Sequence, residues 1–200
     1  NLVCSHACGF GDMVPIDIVR WMLLLKVKGL SVGYSGVRPI IIERLVDFYN
    51  KGIIPVVYEQ GSLGASGDLA PLAHLSLPLL GKGKVHYKGQ IIDSIAALKQ
   101  ERIEPITLAA KEGLALLNGT QFMSAYGTWA LQKAKQLSAW ADAIGTLSGE
   151  GFMMKADPFH DSIHKLRGHL GQIKTAENIR EYLTGSALQN AEKEQVQDPY

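Results

Sequence analysis

The pentapeptide Gly64-Ala65-Ser66-Gly67-Asp68 has the side-chain and backbone types for an unusual chemistry. It does not match a nucleophile elbow, which needs glycine two places after the serine, or a phosphate loop, which needs Gly-Lys-Ser/Thr. In a tight bend, however, the unhindered amide nitrogen of Gly67 can attack the carbonyl carbon of Ala65. Loss of that carbonyl oxygen as water gives an imidazolone ring, and dehydration of Ser66 leaves a conjugated exocyclic methylidene. The triplet therefore predicts a backbone-derived electrophile, and the alternative is an ordinary glycine-rich turn before a helix.

Helix signals on both sides of this loop indicate the elements that position it. Asp68 is predicted to cap a helix over residues 69–80, whose N-terminal partial positive charge favours electron flow into the ring. Upstream, Pro15 suits the first turn of a helix within residues 12–30, which is so apolar that we expect more than one face to be buried. Pro39 and Gly52 bracket an amphipathic helix. Further helical periodicity is predicted over residues 107–117 and 121–146, after Pro158, and over residues 175–183.

Strand signals are confined to one short region. Residues 84–87 and 90–93, joined across Lys88-Gly89, predict a small hairpin that we do not expect to belong to a larger sheet. No linker-like tract interrupts the sequence. The fold class is therefore mainly α with one small β-hairpin, and residues 1–200 are predicted to form a single partial domain.

The composition excludes several classes of protein. Among 200 residues, 20 Lys plus Arg balance 19 Asp plus Glu to a net charge of +1, and 46% of positions are hydrophobic. A chain this apolar and this neutral is not disordered and gives no field that draws it to nucleic acid or an anionic bilayer. Its apolar stretches are too short to span a membrane. The two cysteines and the absence of a leader favour the cytoplasm, and the missing initiator Met leads us to expect an excised piece of a longer chain.

Residues 61–74 (GSLGASGDLAPLAH) resemble the signature of the aromatic amino acid ammonia-lyases. The cofactor of that family, 4-methylidene-imidazol-5-one, forms autocatalytically from Ala-Ser-Gly. Four other stretches resemble family blocks in family order: NLVCSHACG (1–9), LSVGYSGV (30–37), KEGLALLNGT (111–120) and VQDPY (196–200). The resemblance covers essentially the whole chain, and it implies the helical-bundle ammonia-lyase fold, elongated in the family, of which this chain is the central catalytic part.

The resemblance implies roles for seven residues of this sequence. The catalytic set is Ala65, Ser66 and Gly67, which form the ring, with Asn118 beside it and Tyr200. The substrate-binding set is His6 and Gln197. An asparagine suits its place because it offers a donor and an acceptor without a charge that would quench the electrophile. No external cofactor and no metal are implied.

His6 is the candidate specificity residue. Ser-His at this place resembles the histidine-using branch of the family, whereas the tyrosine- and phenylalanine-using branches more often have His-Leu or Phe-Leu. A histidine side chain can hydrogen-bond an imidazole substrate as donor or acceptor. The implied reaction is elimination of ammonia from L-histidine to give trans-urocanate. The alternatives are a tyrosine or phenylalanine ammonia-lyase, an aminomutase with the same electrophile, or a noncatalytic helical module for oligomerisation.

Two parts of the implied machinery fall outside the sequence. The catalytic base resembles a tyrosine that would precede Asn1, and the carboxylate-binding arginine would follow Tyr200. We also expect a homotetramer whose pockets combine several subunits, so the isolated chain is predicted to be inactive and poorly soluble. His160 and His164 are spaced like zinc ligands on a helix, but they lack the adjacent glutamate of zinc proteases and are interpreted as structural.

Overall fold

The computed structural model describes residues 2–65, 67–193 and 196–198, with the backbone alone at position 190. The chain forms two compact units, Asn1–Ala130 and Leu131–Tyr200. Helix predominates over strand among the described residues, which confirms the predicted mainly α class. None of the described helices is both long and apolar enough to cross a membrane. The single domain over residues 1–200 stays a prediction.

The first unit holds most of the secondary structure. Its helices are α1 (Leu2–His6), α2 (Ile16–Ser31), α3 (Pro39–Lys51), α4 (Ala70–Ser76), α5 (Ser94–Gln100), α6 (Glu112–Leu117) and the beginning of α7 (Gln121–Gly151). Its strands are β1 (Phe10–Met13), β2 (Ile54–Pro55), β3 (Tyr58–Gln60), β4 (Lys84–Tyr87) and β5 (Gln90–Asp93). A 3-10 turn, Leu77–Leu80, continues α4, so the helix predicted over residues 69–80 is present in two parts.

Two helices, α2 and α3, form the centre of the core of this unit. Helix α3 begins at Pro39 and ends at Gly52, whose left-handed conformation (φ +67°) lets its N–H reach the last carbonyls, as the sequence predicts. Helix α2 buries one stripe that includes Met22 and Leu23, while Leu24 is 42% exposed. Trp21, Leu25 and Val27, which lie outside that stripe, are partly buried against the same core, and α3, β2 and α4 all contact the helix. Burial therefore extends beyond the stripe, and the expectation that more than one face of α2 is buried stays a prediction.

The strands form two small antiparallel sheets. The predicted hairpin is confirmed as β4 and β5, with Tyr87 opposite Gln90 across the turn. Strand β2 pairs with the outer edge of β4, so the hairpin does belong to a larger, three-stranded sheet, contrary to expectation. Strand β1 pairs with β3 in a second sheet, which brings the chain after α1 beside the chain that leads into residue 61. Strands β1 to β3 are only two to four residues long, too short for a clear alternation of apolar and polar residues.

The second unit contains the rest of α7, followed by α8 (Asp161–Arg167) and α9 (Leu170–Tyr182). Asn178 of α9 donates to the carboxylate of Asp142 on α7 at 2.7 Å. Both ring nitrogens of His164 are occupied, since Nε2 donates to the carbonyl of Pro158 and Nδ1 accepts from Gln172, each at 2.9 Å. His164 thus joins α8 to α9. Across the described ranges, no three His, Cys, Asp or Glu side chains converge as a metal ion requires.

Candidate active site

The loop between β3 and α4 reverses sharply around the Ala65-Ser66-Gly67 triplet. Gly64 and Gly67 form an isolated antiparallel bridge, and both have positive φ angles, +80° and +89°. Those values are in the left-handed region that glycine adopts without strain. Ser66 lies outside the described residues. The backbone on either side of it has the tight bend that the cyclisation hypothesis requires.

The triplet rests directly on the backbone at Gly119, just after α6. Gly67 and Gly119 form a parallel bridge, and the N–H of Asp68 donates to the carbonyl of Gly119 at 2.9 Å. A Cβ on Gly67 would lie 2.8 Å from the nitrogen of Gly119 and closer still to its carbonyl oxygen. Real Cβ atoms do not approach backbone so closely, so only glycine fits at position 67.

Asp68 is fully buried and fastens the loop to the start of α7. Its carboxylate accepts from the N–H of Phe122 at 2.8 Å and from the hydroxyl of Ser62 at 2.9 Å. The N–H of Met123 is a weaker third donor at 3.4 Å. The prediction that Asp68 caps the helix after it is wrong, because α4 begins at Ala70 with Leu69 as its N-cap and no capping side chain. The carboxylate instead satisfies unpaired N–H groups at the positive end of the longest helix.

Leu69 is held in a strained conformation beside the triplet. Its φ of +42° with ψ of −84° is unfavourable for a residue with a Cβ, and such strain costs about 1–3 kcal/mol. The hydrogen bonds on either side, from Asp68 N–H to Gly119 and from Ala73 N–H to the carbonyl of Leu69, fix the backbone there. Strain of this kind clusters at functional sites, which supports the interpretation of this loop as a candidate active site.

Lys26 of α2 lies beneath the segment that supports the triplet. Its side chain is 2% exposed, and Nζ donates to the carbonyls of Ala115 and Asn118, both at 2.8 Å. Burial lowers the pKa of Lys26 to about 8, and the negative charge of Asp68 opposes that shift. The ammonium of Lys26 is therefore hydrogen-bonded to the last turn of α6 and to Asn118, the first residue after it.

Glu112 and Arg38 fix the other end of α6. The buried carboxylate of Glu112 accepts from three N–H groups of Arg38, at 2.7 to 3.0 Å, and from the N–H of Ala109 at 2.7 Å. The hydrogen bond from the Arg38 side chain is the main cause that lowers the pKa of Glu112 to about 2. Because that carboxylate stays ionised at any physiological pH, α6 is anchored to the start of α3 whatever the local acidity.

Asn118 follows α6 and precedes Gly119, so its backbone adjoins the triplet. Its side chain is exposed, and its Nδ2 donates to the carbonyl of Leu114 at 2.9 Å. The structure thus places the backbone of Asn118 next to Gly119, which pairs with Gly67, while a common site for Ala65, Gly67 and Asn118 stays a prediction. The hydrogen bond from Asn118 to the ring or to the substrate amine stays a prediction.

His6 ends α1, which packs on α4 and α6, the two helices whose ends flank the triplet. Its Nδ1 donates to the carbonyl of Leu2 at 2.9 Å. In the neutral ring this leaves Nε2 as an acceptor, and no partner of Nε2 is found among the described residues. The chain after His6 is held by His74 of α4, whose Nε2 accepts from the N–H of Gly9 at 3.1 Å and whose pKa is lowered by burial.

A sequence model of the family described as aromatic amino acid lyase matches residues 1–200. The chain belongs to this family. The predicted resemblance is thereby confirmed. The lyase fold that the resemblance implies is also confirmed, because solved structures of family members superimpose on this chain.

Histidine ammonia-lyases are among its curated relatives. The chain is 52% identical to the histidine ammonia-lyase of Geobacillus sp. strain WCH70, over all of this chain and 40% of that protein. It is 38% identical to the crystal structure of tyrosine aminomutase from Streptomyces globisporus, with a TM-score of 0.85 over 94% of this chain and 35% of the other. The histidine ammonia-lyase of Trypanosoma cruzi is also 38% identical, with a TM-score of 0.81 over 90% of this chain and 35% of that one. The chain therefore spans about 40% of the length of the curated relatives that it matches.

Two of the predicted site residues in this lyase chain, Ser66 and Tyr200, lie outside the described residues. Gln197 lies in the second unit, exposed in a bend. Their roles, like those of His6 and Asn118, stay predictions. Sequence reasoning missed Lys26 and the strain at Leu69. The signal for Lys26 is a charge four residues after Met22, on the stripe of α2 that is otherwise apolar.

Proposed function

We propose that the whole protein carrying this chain is a histidine ammonia-lyase, which eliminates ammonia from L-histidine to give trans-urocanate. The observation that carries the proposal is the tight turn that pairs Gly64 with Gly67 and holds Gly67 on Gly119, in a chain of the aromatic amino acid lyase family. In this turn a glycine pressed against backbone is followed two residues later by Leu69 at positive φ, and strain of that kind clusters at functional sites.

The residues present fit the ring. A cradle formed by the backbone of Gly119 excludes any side chain at Gly67, which leaves the nitrogen of Gly67 unhindered for attack on Ala65. Gly119, whose carbonyl accepts from the N–H of Asp68, would adjoin the ring through its pairing with Gly67, and Asn118 is the residue before it. The ring supplies an electrophilic methylidene carbon, an electron sink that no ordinary side chain offers.

Electrostatics around the triplet favour electron acceptance there. The N-terminus of α7 points toward Asp68, and the ammonium of Lys26 lies below Asn118. Both bring positive charge to the region of Asp68, whose carboxylate accepts hydrogen bonds from Ser62, Phe122 and Met123. Asn118 can orient the substrate amine through its carbonyl oxygen, since its Nδ2 already donates to Leu114.

His6 supports L-histidine as the substrate. Since its Nδ1 donates within α1, Nε2 is an acceptor that suits the N–H of an imidazole. The relatives named histidine ammonia-lyase, at about half identity, support the same choice. A tyrosine aminomutase or lyase is the second candidate, because a phenol hydroxyl can also donate to Nε2 and a tyrosine aminomutase is a structural neighbour.

Replacing His6 by Leu in the whole protein is expected to lower kcat/KM for L-histidine by roughly 10- to 100-fold, the effect of losing one buried hydrogen-bond partner. The measurement is the initial rate of urocanate release, with L-tyrosine and L-phenylalanine assayed in parallel. Ring formation, followed by peptide mass, should be unchanged. The matched control is His86→Leu, since His86 is also half-buried but lies on β4 in the three-stranded sheet.

Two results would contradict the substrate assignment. One is histidine kinetics that His6→Leu leaves equal to those of the His86→Leu control. The other is a wild-type protein that turns over L-tyrosine or L-phenylalanine faster than L-histidine, or that isomerises either to a β-amino acid, which favours the second candidate.

The assembly is proposed to be a cytoplasmic homotetramer. Large apolar side chains of α7 in the second unit are exposed at spacings of three and four residues: Leu137, Trp140, Ile144 and Leu147, at 57–70% exposure. That spacing is typical of a helix face that packs on other helices. Apolar exposure on this scale also supports the expectation that the chain alone is poorly soluble.

A further inference from the structure

Lys26 is a buried charge whose hydrogen-bond partners are backbone carbonyls and not side chains of the predicted site. Its Nζ makes two short hydrogen bonds, to the carbonyls of Ala115 and Asn118, and its side chain is almost wholly inaccessible. Both acceptors lie at the C-terminal end of α6, where backbone carbonyls lack partners within the helix. The ammonium therefore satisfies the end of α6 and fixes the carbonyl of Asn118 at the same time.

The carbonyl of Asn118 lies next to Gly119, the residue on which the triplet rests. The residue after Asn118 is Gly119, whose carbonyl accepts from the N–H of Asp68 and whose backbone pairs with Gly67. The opposite end of α6 is held separately by Glu112 and Arg38. Lys26 is thus hydrogen-bonded to the segment on which the triplet rests, which we call the platform and define as Asn118 and Gly119.

Packing alone does not account for a lysine at this place. Burying an ammonium is costly, and an apolar side chain of similar length would fill the same stripe of α2 without that cost. The lowered pKa of Lys26 is the sign that burial opposes its charge. What a methionine could not supply is a donor to the two carbonyls, which makes the hydrogen bonds to the platform the property that the lysine adds.

We propose that Lys26 is a positioning residue, which holds the Asn118-Gly119 platform through its ammonium so that the triplet closes into a ring and Asn118 faces the substrate. The inference rests on the proposed function and deepens it, because it assigns to α2 the control of ring maturation. Lys26 touches neither ring nor substrate and acts through the backbone of Asn118.

The test compares Lys26→Met, Lys26→Gln and Lys26→Arg with wild type in the whole protein. Lys28→Met is the matched control, since Lys28 is exposed two residues along the same helix. Three quantities are measured: the fraction of peptide that has lost two waters, kcat and KM for L-histidine, and hydrogen exchange of residues 114–124. Lys26→Met is expected to lower the matured fraction, to lower kcat of the matured fraction on the order of 10- to 100-fold with a smaller change in KM, and to speed exchange in the platform.

Lys26→Arg is expected to restore maturation and most of kcat, because a guanidinium also donates charged hydrogen bonds to the carbonyls. If Lys26→Met does not fold, Lys26→Gln gives the same comparison with a neutral polar chain. Maturation, kcat and exchange in Lys26→Met or Lys26→Gln equal to those of Lys28→Met would overturn the inference. Failure of Lys26→Arg to do better than Lys26→Met would also overturn it.

The proposed function fails by a different result, which is an unmodified triplet in wild-type protein. That outcome removes the maturation role as well. Unaltered exchange of residues 114–124 in the Lys26 variants, by contrast, refutes the platform role even where wild type matures and turns over L-histidine.

Discussion

Gly67→Ala in the whole protein is expected to abolish ring formation and to lower kcat/KM for L-histidine by at least about 10³-fold. A Cβ at this position collides with the backbone of Gly119, so the bend must open before the side chain fits. The φ of +89° adds strain for any residue other than glycine. The methyl group also crowds the nitrogen that attacks Ala65. The measurements are urocanate release and the mass of the peptide that carries the triplet.

Gly64→Ala is the matched control for the clash. Gly64 has a similar φ of +80°, yet a Cβ there meets nothing within 4 Å. Gly64→Ala therefore introduces a similar conformational strain at positive φ without a steric clash. We expect this variant to retain measurable ring formation and activity. A Gly67→Ala protein that matures like wild type, or a Gly64→Ala protein that loses as much as Gly67→Ala, would refute the account of the cradle.

Asp68→Ala is expected to lower the free energy of local opening at the start of α7 by about 3 kcal/mol. The substitution removes the buried carboxylate that accepts hydrogen bonds from Ser62, Phe122 and Met123. In hydrogen exchange this corresponds to roughly 100-fold faster exchange of the Phe122 amide. Asp68→Asn keeps one acceptor oxygen but loses the charge, so it should fall between Ala and wild type. The matured fraction of the triplet should fall in the same order.

The matched control is Asp93→Ala. Asp93 also stands at a helix N-cap position, before α5, but its side chain makes no capping hydrogen bond there and is exposed. Exchange in α7 should therefore stay at the wild-type rate in this variant. Equal protection of Phe122 in Asp68→Ala and in wild type would show that the carboxylate does not hold the two segments together.

The parts of the fold that were predictable from sequence are those fixed by neighbours along the chain. Pro39 and Gly52 mark the ends of α3 because each acts on its own backbone. The hairpin around Lys88-Gly89 follows from its own turn residues. Helix α5, by contrast, has neither a capping hydrogen bond nor a distinctive N-cap contact, and seven residues give too little periodicity for a prediction.

The candidate site was only partly predictable for the same reason. The triplet is a local motif, and its resemblance to a family signature identified Ala65, Ser66 and Gly67. The partner of Asp68 is remote: a carboxylate before a helix predicts a cap on that helix, but tertiary packing turns it toward Phe122. Lys26 is remote from Asn118 in the same way: its place on the apolar stripe of α2 marks it as unusual, but no local signal gives its partner.

The mass of one tryptic peptide from the wild-type whole protein tests the central claim most directly. Trypsin is expected to release residues 52–82 intact, since no Lys or Arg lies between Lys51 and Lys82. The account predicts that this peptide is lighter than its sequence by two water molecules, and that the same peptide from Ser66→Ala does not show the double loss. A peptide at its full, unmodified mass in purified wild-type protein that turns over L-histidine would contradict the account.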